Sequence, residues 1–170
     1  MKMQENRKLK YLGYSVVFQE VPDEVSLVFN ISGCPYKCEG CHSKYLWEYD
    51  GAFISDDIDD IIKKYIDLIT CVCFMGGDQN TCELCELFHH IRETYHIKTC
   101  LYSGRDALNE LSELFPELDY IKIGRYQKEF GGLNSKTTNQ RMYEIKDGKI
   151  SDDITHKFWR KKALFYDHWF

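Results

Sequence analysis

The chain has 170 residues, 44% of them hydrophobic and 29% charged, with a net charge of −5. Such values fit one globular domain spanning 1–170, and they argue against a general nucleic-acid binder or a membrane-surface binder. No apolar run approaches the ~20 residues that a bilayer requires.

Met1 to Lys10 is polar and is expected to be a loose lead-in. It lacks the apolar stretch of a secretory signal, so the expected location is cytoplasmic. Eight cysteines there point to metal or redox chemistry rather than to disulfides.

Tyr14 to Val21 reads as a strand, Pro22-Asp23-Glu24 as a turn, and Val25 to Phe29 as a second strand. The pair predicts a hairpin at a sheet edge. The second strand leads into Cys34, Cys38 and Cys41, spaced Cys-x₃-Cys-x₂-Cys among Gly33, Pro35 and Gly40. Those breakers place the cysteines on a loop leaving a strand end.

Ser55 is the expected N-cap of a helix whose start carries Asp56, Asp57, Asp59 and Asp60, favourable at the positive end of the dipole. Ile58, Ile61, Ile62, Tyr65, Ile66 and Ile69 recur at helical spacing. Cys71 to Met75 is a continuous apolar run, suited to a strand buried on both faces, and it stops at Gly76-Gly77-Asp78. A helix over 81–95 follows, then a strand over 97–102 ending at Ser103-Gly104. A helix over 107–115 is closed by Pro116, and a strand over 120–123 ends at Gly124-Arg125.

This alternation predicts parallel strands joined by right-handed crossovers. The chain is short for a closed barrel of eight units, which takes ~250 residues. The expected fold is therefore α/β, an incomplete, open βα barrel with a short N-terminal hairpin. Asn134 to Arg141 is polar and loop-like, and Met142 to Ile150 predicts a hairpin turning at Asp147-Gly148. Residues 151–170 form a terminal extension rich in aromatics, read as a helix packing on the barrel.

Three close thiolates are soft ligands that suit zinc or an iron–sulfur cluster. A structural zinc site wants four ligands, and His42, which would be the fourth, adjoins Cys41 awkwardly. Cys38-Glu39-Gly40-Cys41-His42 also fits haem attachment, a chemistry that requires export. Unliganded buried cysteines are a further reading, though a Gly/Pro/Lys/Glu loop is not core. An iron–sulfur cube normally takes one cysteine per iron. Three cysteines would leave one iron open for a small molecule.

The cysteine segment resembles the cluster loop of the radical S-adenosylmethionine (SAM) superfamily. More narrowly, Ile31-Ser32-Gly33-Cys34 with Glu39-Gly40-Cys41-His42 resembles the activating proteins of the anaerobic ribonucleoside-triphosphate reductase. The resemblance implies one 4Fe-4S cluster on Cys34, Cys38 and Cys41, with SAM chelating the open iron. It implies Gly40 and His42 on the adenine side, and Gly76, Gly77 and Asp78 at the amino group. Ser103 would lie near the ribose and Arg125 at the carboxylate.

The implied reaction is reductive cleavage of SAM to a 5′-deoxyadenosyl radical, followed by hydrogen abstraction from a glycine of the reductase. The electron donor would be of flavodoxin or ferredoxin type. A small-molecule radical SAM enzyme, for example one making a deazapurine, and a non-catalytic iron–sulfur or zinc protein are the alternatives. Cys71, Cys73, Cys82 and Cys85 are either buried hydrophobes or a second metal site, and Cys100 is expected in the core.

Overall fold

A computed structural model describes residues 7–159 of the chain. Phe165, Tyr166, Trp169 and Phe170, and the first six residues of the lead-in, lie outside the described residues. The lead-in is anchored from Leu9 onward. Leu9 is fully buried, and its amide donates to Glu83 Oε2 at 2.7 Å.

Eight strands form one sheet: β1 (Lys10–Val17), β2 (Ser26–Ile31), β3 (Ala52–Phe53), β4 (Cys71–Met75), β5 (Lys98–Tyr102), β6 (Tyr120–Ile123), β7 (Arg141–Lys146) and β8 (Lys149–Asp153). Their order is β3-β1-β2-β4-β5-β6-β7-β8. The neighbours β2, β4, β5 and β6 run parallel. The flanking pairs β3–β1, β1–β2, β6–β7 and β7–β8 are antiparallel.

The fold is thus α/β, with a mixed sheet: parallel strands at its centre, an antiparallel hairpin on each side as expected, and an antiparallel β6–β7 pair that joins the second hairpin to the centre. Connection length explains the hairpins. Short turns after β1 and β7 permit antiparallel pairing alone, whereas the helix between β4 and β5 returns the chain to the same end of the sheet.

Side chains alternate across the parallel strands. Leu27, Phe29, Val72, Phe74, Leu101 and Ile121 face a core shared with helix α1 (Ile54–Tyr65) and helix α2 (Thr81–Tyr95). Phe74 meets Phe29 edge-on and Phe88 at a tilt, at centroid separations of 5.6 and 4.8 Å. The opposite face holds a smaller cluster of Val28, Cys71, Cys73, Cys100, Tyr120 and Met142. Cys71 and Cys73 therefore share a face, and Cys100 is core, as their spacing predicts.

Two local expectations need correction. Helix α1 begins at Ile54, with Phe53 in the N-cap position and no side-chain cap, so Ser55 lies within the first turn. Ile54 is fully buried and draws the helix start two residues earlier. The segment read as a helix over 107–115 is a 3₁₀ stretch, Leu108–Glu117, with Pro116 inside it. Leu108, Leu111 and Leu114 lie three apart, and a three-residue turn aligns them in one row against the core. No helix among the described residues is long and apolar enough to cross a membrane.

Candidate metal centre

Parallel strands deliver their C-terminal ends to one side of a sheet. Here the loops that leave β2, β4, β5 and β6 line one cavity of about 970 Å³. Cys34, Cys38 and Cys41 share its wall with Gly76, Asp78, Ser103, Gly104, Gly124 and Arg125.

The cysteine loop is pinned at its base. The Gly33 amide donates to Glu48 O at 3.0 Å, and the Cys34 amide donates to Leu46 O at 2.9 Å. The Ser32 hydroxyl donates to Asp50 O at 2.5 Å. Within the loop, Gly40 takes a φ of 75°, which a side chain would strain. All three cysteines are free and partly exposed. Burial pushes the Cys34 thiol up, against the amides of Tyr36 and Lys37, which favour the thiolate. The Ser43 amide donates to Cys41 Sγ at 3.4 Å.

Asp78 is 2% exposed and already partnered. It accepts from the Tyr36 hydroxyl at 2.8 Å and from the Ser103 hydroxyl. Arg105 Nε stands 3.8 Å from the same carboxylate, and Arg105 Nη2 donates to Asp78 O at 2.8 Å. Burial and the Asp78 charge push the Tyr36 phenol well up, so it stays a neutral donor. Gly104 has to be a glycine, because an added Cβ would lie 2.4 Å from Tyr36 Cδ2.

Arg125 is half exposed, with Nε 3.2 Å from Asp106 Oδ2 and its guanidinium 5.5 Å from the Tyr36 ring centroid.

Tyr36 and Lys122 are among the wall residues that the sequence reading did not single out, and Gln140 reaches the wall from the polar 134–141 loop. Lys122 is 7% exposed and donates to Gly124 O at 2.7 Å. Burial pushes its ammonium down to about 8, while the thiolates and carboxylates nearby oppose that fall. A lysine within the buried run Tyr120-Ile121-Lys122-Ile123 was the available signal. Gln140 Nε2 donates to Gly124 O at 3.2 Å, and Asn139 Nδ2 donates to Arg125 O at 2.9 Å. The Asn134 to Arg141 loop thereby braces the end of β6.

Gly40, His42 and Gly77 are not part of the cavity wall. The His42 ring meets Tyr126 edge-on at a centroid separation of 6.0 Å. A Cβ on Gly40 would lie 3.3 Å from Tyr126 Cε1, and one on Gly77 would lie 3.0 Å from Leu84 Cδ2.

Among the described residues no three His, Cys, Asp or Glu side chains converge as one metal ion would need. Three soft thiols on one wall, two of them with amides directed at sulfur, are a donor set that fits an iron–sulfur cluster.

Comparison with protein families agrees with that donor set: a family model described as 4Fe-4S single cluster domain matches residues 24–146. The same comparison among curated proteins and among solved structures finds no match.

Proposed function

The chain belongs to the 4Fe-4S single cluster domain family, and from that premise we propose that it is a radical SAM activase of the anaerobic ribonucleoside-triphosphate reductase. One observation carries the proposal. Three cysteines line a cavity of about 970 Å³ that also holds Asp78, Ser103 and Arg125. That volume is at the upper end of small-molecule pockets, enough for a sulfonium nucleotide beside a cluster.

Cys34, Cys38 and Cys41 hold the cluster in this account. When bound, the cluster supplies one electron for the cleavage of SAM to methionine and a 5′-deoxyadenosyl radical, which takes a hydrogen atom from a glycine of the reductase. The chain binds, orients and shields. Asp78 receives the methionine ammonium, its carboxylate already set by Tyr36, Ser103 and Arg105. Gly76 lets backbone approach the ligand closely, with Gly77 behind it against Leu84. Ser103 and Gly104 border the ribose, and Arg125 meets the carboxylate in a two-pronged contact. Gly40 and His42, beside the wall, flank the adenine.

The four parallel strands, with both α-helices packed on one face, are read as part of an open βα barrel. The open side admits a peptide loop of the partner. A cytoplasmic setting with a flavodoxin- or ferredoxin-type donor completes the account.

Electron paramagnetic resonance tests it. Mixing the reconstituted protein, SAM, a reductant and the reductase should give a glycyl-radical doublet. SAM cleavage without that doublet would instead favour a small-molecule substrate. A bound cluster without cleavage would favour a non-catalytic protein.

A further inference from the structure

The cysteine loop separates two cavities. Behind it lies a smaller one of about 240 Å³, whose wall includes Arg7, Lys37, Glu48 and Tyr49. Cys34, Pro35, Trp47 and Gln79 line both cavities, so they form the partition between them. The back of one cysteine of the loop is thus approachable from a side that a ligand in the larger cavity would not block.

Arg7 and Lys37 line this second opening, and further cations stand on aromatic rings near it. The Arg7 guanidinium lies 5.4 Å from the Tyr49 ring centroid, and the Lys10 ammonium lies 4.8 Å from it. Lys10 and Lys8 stand 5.0 and 5.7 Å from the Phe53 ring, and Lys44 stands 5.7 Å from the Trp47 ring. Against these cations, Glu48 lies on the wall, Asp50 two residues on, and Glu83 beside the Arg7–Leu9 segment. The chain as a whole carries −5, so the local balance is opposite in sign to the global one. Tyr45 and Phe53, 56% and 37% exposed, add aromatic surface of the kind found at interface centres.

We propose that this face receives an acidic one-electron carrier protein, which reduces the cluster past Cys34. The proposal rests on Cys34, Cys38 and Cys41 holding the cluster. The carrier loses one electron and the cluster gains one; no bond is made or broken. A field of one sign steers an oppositely charged partner and raises its association rate by about 10- to 1,000-fold at low salt. SAM and the partner peptide occupy the larger cavity in the proposed function, and the smaller one leaves electron entry independent of them.

The test uses the full chain, anaerobically reconstituted, with reduced flavodoxin as the acidic probe. Stopped-flow loss of visible cluster absorbance measures reduction directly, and photoreduced 5-deazaflavin serves as the protein-free reductant. In the double variant Arg7→Glu, Lys8→Glu, the rate constant with flavodoxin should fall by about tenfold or more at low salt. Added salt should slow the wild type and leave the variant nearly unchanged. Iron content and reduction by deazaflavin should stay as in the wild type.

Equal rates with flavodoxin for wild type and variant would overturn the proposal. So would an equal loss with deazaflavin, because the substitutions would then act on the cluster and not on docking. SAM cleavage plays no part in this readout. A chain that accepts the electron at this face yet leaves SAM intact would contradict the activase reading alone.

Discussion

Tyr36 ties the cysteine loop to the acid that follows β4, through its hydroxyl on Asp78 and its ring on Gly104. Substituting Gly104→Ala forces that ring away. The expected cost is about 1–3 kcal/mol of stability, as for other overpacked sites, measured by urea denaturation of the metal-free chain. An unchanged midpoint would show that the ring relocates freely. Asp78→Asn keeps the shape and removes the charge. It should weaken SAM binding at least about tenfold in equilibrium titration of the reconstituted protein, with iron content unchanged, because a charge-assisted contact is lost. At this scale the places of the cysteines, Gly76, Asp78, Ser103-Gly104 and Gly124-Arg125 on one wall were legible, since each segment ends an apolar run; Gly77, read with them, packs against Leu84 instead. Tyr36 and Gln140 were not, because nothing local in their segments distinguishes a wall residue from a loop residue. Lys122 was visible as a charge among buried neighbours and was passed over.

Among the elements, the best predicted are those whose apolar pattern fits one period. Cys71–Met75, Thr81–Tyr95 and Tyr120–Ile123 have the bounds that their sequences suggest. Leucines three apart serve an α-helix or a 3₁₀ turn equally, so the tight form of Leu108–Glu117 was not legible. Nor was the tie at the other end of the parallel strands. Glu24 accepts from Lys98 Nζ at 2.5 Å, from Tyr120 at 2.8 Å and from Thr70 at 2.6 Å, joining the segment before β2 to β5 and β6.

Burial acts to raise the Glu24 carboxyl, but the hydrogen bonds from Lys98, Thr70 and Tyr120 outweigh it and hold it below the ordinary 4.5. The unfolded chain therefore takes up this proton first as pH falls. The stabilisation is fully present above pH 4.5 and is lost as pH drops through the lower folded value. Glu24→Gln should lower stability at pH 7 and flatten the acid limb of a urea-midpoint profile. A parallel downward shift at every pH would contradict this assignment.

For the whole molecule, the arrangement that matters is four parallel strands between antiparallel flanks. Parallel order brings four loops to one cavity, and the flanks add to its wall through the segment after β1, the loop before β7 and the residues after β8. The sequence carried the α/β alternation and the common mouth. The two hairpins followed from connections too short for a crossover, whereas the antiparallel β6–β7 pair, joined by the long 124–140 segment, did not. A cluster that binds the folded chain and not the unfolded one stabilises it by mass action. Melting temperature should rise on reconstitution and rise again with SAM. Alanine at Cys34, Cys38 or Cys41 should abolish both increments along with the visible absorbance.

The most direct measurement is chromatographic quantification of 5′-deoxyadenosine after anaerobic reduction of the reconstituted protein with SAM. The account predicts 5′-deoxyadenosine and methionine in equal amounts, with none from the three cysteine variants. A fully loaded, reducible cluster that releases neither product, or a cysteine variant that releases both, would contradict it.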